Sequence, residues 1–401
     1  MPMLVQAIAM DNGDAKMVGN DRGVTLIELM IGVIITALIV AGGMAILTAS
    51  DKATRANDET VDTQQNVRTA LEFLSRDLKQ AGFGPFDPGQ GAIGGGPNAI
   101  MPKDNVPTGA DRGSDRISLV VPVGNPTGTA LDPAWVFAAD TAVNMGTATV
   151  IAMSSASVVN TMATTAGGSL TGPQATLSIG GAFTGKVTAA GGANLTMMFT
   201  GAPIESPVRM NTPVFLLQCI TYQIIPPPDA ANVCGGRAPC LVRGVAGGLD
   251  ATGHPDCTIA GSTCASIADE IEDIQFAYAC DGCVAAINSG TPDNIIDNQG
   301  GAAGFDQADF ITNSTWTTSP ITPDKMRLAQ VTVVGRQRNA DQGLAEGNIQ
   351  AVQTPVALQV SDHLHSDGVF VSGDYATLTP PYSSTRRRML MRTIDLRNLR
   401  H

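Results

Sequence analysis

Aromatic side chains make up only 4% of the 401 residues, charged ones 15%, and histidine occurs four times. No cysteine appears in the first half, and the sequence holds no P-loop, no G-x-S-x-G elbow, no H-E-x-x-H pair and no EF-hand pattern. These absences argue against the common nucleotide-binding, hydrolase and metalloprotease chemistries, and the chain is read as a non-enzyme that needs no cofactor. The formal charge of -12 and a pI near 4.7 argue against a phosphate-binding surface as the main activity, because affinity for nucleic acid rests on clustered Lys and Arg. What the sequence does have is 44 glycines, 24 prolines and 43% hydrophobic residues, a composition of turns and short strands built from Val, Ile, Thr and Ala.

The seven cysteines, Cys219, Cys234, Cys240, Cys257, Cys264, Cys280 and Cys283, lie within one short region, which reads as disulfides formed in an oxidising compartment. Zinc would want two CxxC pairs or one with spaced histidines. Only the CDGC of 280–283 has that form, and the nearest histidine, His254, sits upstream in a Gly/Pro turn. Short loops favour Cys234 with Cys240 and Cys257 with Cys264, and Cys280 with Cys283 can close a turn, leaving Cys219 over. Alternatively Cys219 reaches Cys280 or Cys283, if strands at 214–225 and 271–280 are neighbours.

Against the shortage of charge stands one long apolar run, RGVTLIELMIGVIITALIVAGGMAIL, residues 22–47. Leu29 to Leu47 carries no charge, and as a helix would be roughly 28 Å long, close to the hydrocarbon thickness of a bilayer. A removed signal peptide, with a weak site at LTAS (47–50), is the plain alternative, but its apolar region would be unusually long and it leaves Glu28 without a reason. An ionised carboxylate there costs about 2.5–3.5 kcal/mol unless it is compensated. After the run, DKATRANDETVDTQQNVRTALEFLSRDLKQAG stays free of Gly and Pro until Gly82, with Val67, Leu71, Leu74, Leu78 and Ala81 on one face. A single helix is therefore expected over 24–82, its first half (29–47) transmembrane and its second packed on the chain's own head. Gly42 and Gly43 are its expected weak point.

The stretch Gly23-Val24-Thr25-Leu26-Ile27-Glu28, preceded by Arg22, resembles the processing motif of type IV prepilins. That resemblance implies cleavage after Gly23 by a prepilin peptidase and methylation of the new amino terminus at Val24, where the family usually has Phe. It also implies pairing of Glu28 with the mature amino group of the same or a neighbouring subunit during assembly. The pairing agrees with the physics, since the cut creates a positive group one helical turn from Glu28. Residues 1–23 then form the leader. Its 17–23 portion, MVGNDRG, has ordinary prepilin form by itself, so Met17 is expected as the true start.

Beyond the Gly/Pro loop at 82–115, short apolar or alternating runs at 116–123, 148–153, 175–181, 194–199, 213–225, 239–245, 271–280, 326–337 and 389–399 read as antiparallel strands. The expectation is an α+β chain: one long helix, then a β-rich head over 83–401, with 125–210 an inserted β region. RTALEFLSRDLKQAGF, SDRISLVV, IADEIEDIQFAYACD, MRLAQVTVVGRQR and RRRMLMRTIDLRNL, in this order after a prepilin start, resemble the PilW group of minor pilins, related to the J-type pseudopilins of type II secretion systems. The resemblance implies a single-pass inner-membrane protein with a periplasmic head that later joins a surface pilus, near its tip, to prime assembly and serve adhesion. Its partners would be major and minor pilins, the peptidase/methyltransferase and the inner-membrane assembly platform. A J-type pseudopilin is the alternative, for which a head of 83–401 is large.

Three further clusters bear on chemistry. SDHLHSDG (361–368) places His363 and His365 on one side of a strand near Asp362 and Asp367, as metal ligands or as a polar turn. Asp293, Asp297, Asp306 and Asp309 are oxygen ligands suited to calcium, or loop carboxylates in solvent. Arg386, Arg387, Arg388, Arg392, Arg397 and Arg400 read as the solvated face of a final strand, or a docking site for an acidic partner.

Overall fold

The structure is a computed structural model. It describes residues 23–84, 98–106, 114–312, 316, 319–339, 358–360, 363–365 and 386–399, short stretches within 114–312 excepted. Residues 1–22 of the expected leader, with the expected start at Met17, and Asp362, Asp367 and Arg400 lie outside the described residues. By compactness the chain divides after Arg55.

Helix α1 runs from Leu26 to Gln80 without interruption, so Gly42 and Gly43 are helical, with nothing within 4 Å of where their Cβ atoms would stand. In the first unit every described side chain is exposed. In the second, Val67, Leu71, Leu74, Leu78 and Ala81 are all buried, the face that the 4-3-4-3 spacing marks out. The same face also buries Thr63, Ser75 and Asp77, polar residues that periodicity alone assigns no partner. The helix stops at Gly82, whose φ of +78° is left-handed. A Cβ there would also lie 2.7 Å from Leu399 Cδ2.

The head is α+β, as expected, with three antiparallel sheets among the described residues. The largest has nine strands around β7 (Val214–Ile225). Along one edge β7 pairs with β2 (Ser114–Val123), which pairs in turn with β1 (Ile100–Val106). Its other edge is shared: Val214–Leu217 pair with β4 (Thr176–Ile179), and Thr221–Ile225 with β8 (Cys240–Ala246). The Gln218 amide at the junction donates to the carbonyls of Thr165 and Val245, at 3.1 and 3.3 Å. Beyond β4 the sheet continues through β5 (Phe183–Gly191), β6 (Asn194–Phe199) and β3 (Ala148–Ala152), and beyond β8 it adds β9 (Thr263–Asp269).

The second sheet is β10 (Ile271–Cys280), β11 (Met326–Arg336) and β14 (Arg387–Asp395). The third is the β12–β13 pair, Leu358–Val360 with His363–His365. One core joins the buried face of α1 to β2, β7, β10 and β11, and includes Tyr222, Phe276, Tyr278 and Trp316. Gly335 on β11 lets α1 approach closely, since a Cβ there would stand 2.5 Å from Val67 Cγ2.

Residues 125–210 share a second core with the start of β7, formed by Trp135, Phe137, Ile151, Met197, Phe199 and Leu216 among others. This region is not all β: Ala156–Thr165 forms helix α2, started by Ser155, whose hydroxyl accepts from Val158 N at 3.4 Å. Val158, Val159 and Met162 bury one face of it. A ten-residue helix rich in β-branched residues has little propensity of its own, so packing decides it. Strands β1, β5 and β9 also escape the strand pattern. IMPKDNV carries Pro and charge at a sheet edge, FTGKVTAAG is small and exposed towards its end, and TCASIAD is largely exposed.

Candidate functional site

The amino-terminal segment is built from local rules. Thr25 stands just before the helix and its Oγ1 accepts the Glu28 N–H at 3.3 Å, while the hydroxyl donates back to Glu28 Oε2 at 3.4 Å. T-x-x-E is the spacing of a capping box, with the acid in the first turn, where the helix dipole favours negative charge. Further along, Thr36 and Thr48 return their hydroxyls to the carbonyls of Gly32 and Met44, at 2.7 and 2.8 Å, so both are satisfied within the helix. Glu28 is then the one ionisable side chain between Val24 and Leu47. A capped helix start is an adequate structural use for Glu28. Among the described residues it offers no neutralising cation, and a lipid-embedded carboxylate needs one.

Gly23 stands outside the helix, with nothing within 4 Å of an added Cβ, and is not at positive φ. The fold therefore does not require glycine at this position. Gly23 and Val24 are both exposed, Val24 at 71%. Leu26–Gln80 is long and apolar enough, in its first part, to cross a membrane, and none of that part is buried against the protein.

A family model described as the prokaryotic N-terminal methylation motif matches residues 19–44. The match covers Gly23, Val24, Glu28 and most of the apolar run, and it supports a protein of the type IV pilin-like or pseudopilin class. No curated protein and no solved structure matches the chain. The motif and the apolar helix together fit anchoring in a membrane.

In the head, disulfides join Cys234–Cys240, Cys257–Cys264 and Cys280–Cys283. Cys219 is a buried free thiol on β7, not bonded to Cys280 or Cys283, and burial pushes its pKa up to about 12. Gly244 on β8 leaves room for the second bridge, with Cys257 Sγ 3.0 Å and Cys264 Sγ 3.1 Å from an added Cβ.

The four calcium candidates accept hydrogen bonds from neighbouring groups, mostly backbone N–H. Asp297 Oδ2 accepts from Gly282 and Val284, at 3.1 and 2.8 Å, and Asp293 accepts from Ile295 N at 2.9 Å and from the Asn288 amide. Asp306 and Asp309 cap a short turn reciprocally, through Ala308 N at 2.8 Å and Asp306 N at 2.7 Å. Among the described residues no group of three His, Cys, Asp or Glu could hold a metal ion. His363 and His365 stand opposite Val360 and Leu358 in the β12–β13 pair.

The terminal arginines do not all face solvent, which corrects the sequence reading. Arg387 turns inward and grips Glu272 with two bonds, Nε at 2.6 Å and Nη2 at 3.0 Å, its side chain only 6% exposed. The cause is register: Arg387 lies opposite Arg336, and the buried Glu272 serves both guanidiniums. Arg386, Arg388, Arg392 and Arg397 are exposed. Glu270, also bonded to Arg336 at 2.8 Å, has its pKa raised by burial despite that partner.

Two more buried ionic clusters left no local mark on the sequence. Arg116 on β2 binds Asp256 at 2.9 Å and also Asp250, fixing the loop that holds the Cys257–Cys264 bridge. Burial raises the Asp256 pKa, but its bonds from Thr258 and the charge of Arg116 outweigh this and lower it. Asp77 on α1 collects the Tyr222 hydroxyl at 2.7 Å, Arg243 Nε at 2.9 Å and Arg76 Nε at 3.0 Å.

Proposed function

We propose that the chain is a minor type IV pilin. Prepilin peptidase cuts between Gly23 and Val24 and methylates the Val24 amino group. The 29–47 segment then holds the protein in the inner membrane, with the head in the periplasm. The protein moves into the pilus, near its tip, where it primes assembly with other pilins and presents its head for adhesion. Its role is structural, with no catalytic residue. The PilW-like order of head segments supports the pilus reading, and the same start and helix would also serve a J-type pseudopilin.

One observation carries the proposal: a lone carboxylate at Glu28, in the first turn of an otherwise uncharged span, directly after a glycine that the fold does not need. Cleavage would turn the Thr25 cap into the second residue and leave a positive amino group one turn from Glu28. The attraction offsets the cost, about 2.5–3.5 kcal/mol, of a bare carboxylate in lipid. In a neighbouring subunit the same charge would set the axial register.

Amino-terminal sequencing of protein from sheared pili should begin at methylated Val24, and Glu28→Gln should leave processing intact while cutting recovery in pili at least tenfold. A mature terminus elsewhere, or undiminished recovery, would refute the proposal. Deleting the gene separates the two classes: loss of surface pili with normal exoprotein secretion fits a pilin, and the reverse fits a pseudopilin.

A further inference from the structure

Between β10 and β11 the described residues of the 281–325 segment form only short turns and single-turn helices, so their backbone polar groups need partners other than a ladder. Its N–H groups find carboxylates. Asp281 accepts from Asp293 N at 2.8 Å and Asn294 N at 3.0 Å, and Asp297 accepts from Gly282 N and Val284 N. Its carbonyls find one ammonium. Lys325 Nζ donates to the oxygens of Gly282 (2.8 Å), Gly290 (2.8 Å) and Pro320 (2.9 Å), three separate turns of the segment.

Those bonds use all three donors of the ammonium, and every one ends on a neutral carbonyl. The cage is constructed around them. Gly282 and Gly290 are both left-handed, at φ +90° and +72°. A Cβ on Gly282 would meet Pro292 N at 2.7 Å, and one on Gly290 would meet Pro320 Cβ at 3.0 Å. The Lys325 backbone is pinned as well, its N–H to Thr322 O at 3.1 Å and its carbonyl to Asp281 N at 3.0 Å. Converging carbonyls replace the hydration shell of a monovalent ion in the same way. Calcium prefers about 2.3–2.6 Å and usually several carboxylates, so this cage is too wide and too neutral for it.

We infer that the carbonyls of Gly282, Gly290 and Pro320 form a monovalent-cation site that Lys325 fills from within, and that takes an ammonium- or potassium-sized ion when this side chain is removed. The consequence is that three turns of this segment are tied together by a charge that the chain itself carries. The same segment exposes Ile295 (69%) and Phe305 (47%).

The test is chemical rescue of Lys325→Ala in the detergent-solubilised full-length protein. In tetramethylammonium chloride, an ion too large for the cage, Tm should fall by roughly 5 °C from the unsubstituted protein. Replacing it with ammonium or potassium chloride at equal ionic strength should restore at least half of the loss, saturably. No loss, no rescue, or equal stability in tetramethylammonium would overturn the inference. Should the variant not fold, amine acylation of the unsubstituted protein decides: Lys325 should react at least tenfold more slowly than exposed Lys52 and Lys186, and equal reactivity overturns the inference.

Discussion

Asp77 offers the sharpest test of how the second half of α1 is held to the head. Its carboxylate is 2% exposed and accepts from Tyr222, Arg243 and Arg76. Arg76 is 55% exposed on its side chain and contributes little. Arg243, at 21%, and the buried Tyr222 hydroxyl matter more, because without Asp77 the first has little access to water and the second none. Burial together with Asp77 raises the Tyr222 pKa well out of the physiological range, so this hydroxyl is a permanent donor. Removing one partner of such a buried pair costs about 3–5 kcal/mol. At about 2 °C per kcal/mol for a large domain, Asp77→Ala should lower Tm by roughly 6–10 °C. Tyr222→Phe removes one donor and leaves the carboxylate two others, so it should cost about 1–2 kcal/mol. The two effects should be non-additive by at least about 1 kcal/mol in a double-mutant cycle. Thermal melts followed by circular dichroism in detergent are the assay. Additive effects, or an Asp77→Ala variant within about 1 kcal/mol of the parent, would show that this ionic cluster does not clamp the helix.

Two other outcomes can be checked on the same material. His254 is kept neutral by burial, with Arg116 and Lys103 acting in the same direction and Asp250 against it. The unfolded chain takes up this proton near pH ~6.5 and the folded one only lower. Stability from this group is therefore complete above that pH and lost as the medium is acidified below it. Tm should fall more steeply between pH 7 and 5 in the parent than in His254→Asn, and parallel curves would refute the assignment. Cys219 should be silent to thiol reagents in the native protein and give one thiol per chain in denaturant without reductant, since it is buried and the six other cysteines are bridged. More than one thiol would contradict these pairings.

What the sequence determined by itself is what depends on near neighbours. The span from Leu29 to Leu47, the single long helix, its buried face at Val67, Leu71, Leu74 and Leu78, and the T-x-x-E start all follow from spacing within a turn or two. The long strands β2, β7, β10 and β11 were readable for the same reason, as unbroken β-branched and apolar runs. Only the tertiary structure decided which charges go inside. Asp77 meets Tyr222 across 145 positions, Arg387 meets Glu272 across 115, and Arg116 meets Asp256 across 140. A charge is tolerable in the interior only where a counter-charge or converging hydrogen-bond partners satisfy it, and nothing local encodes the meeting. The helix α2 inside 125–210 and the Lys325 cage belong to the same group. One is chosen by the core it covers, the other by three turns that converge only once the head has folded.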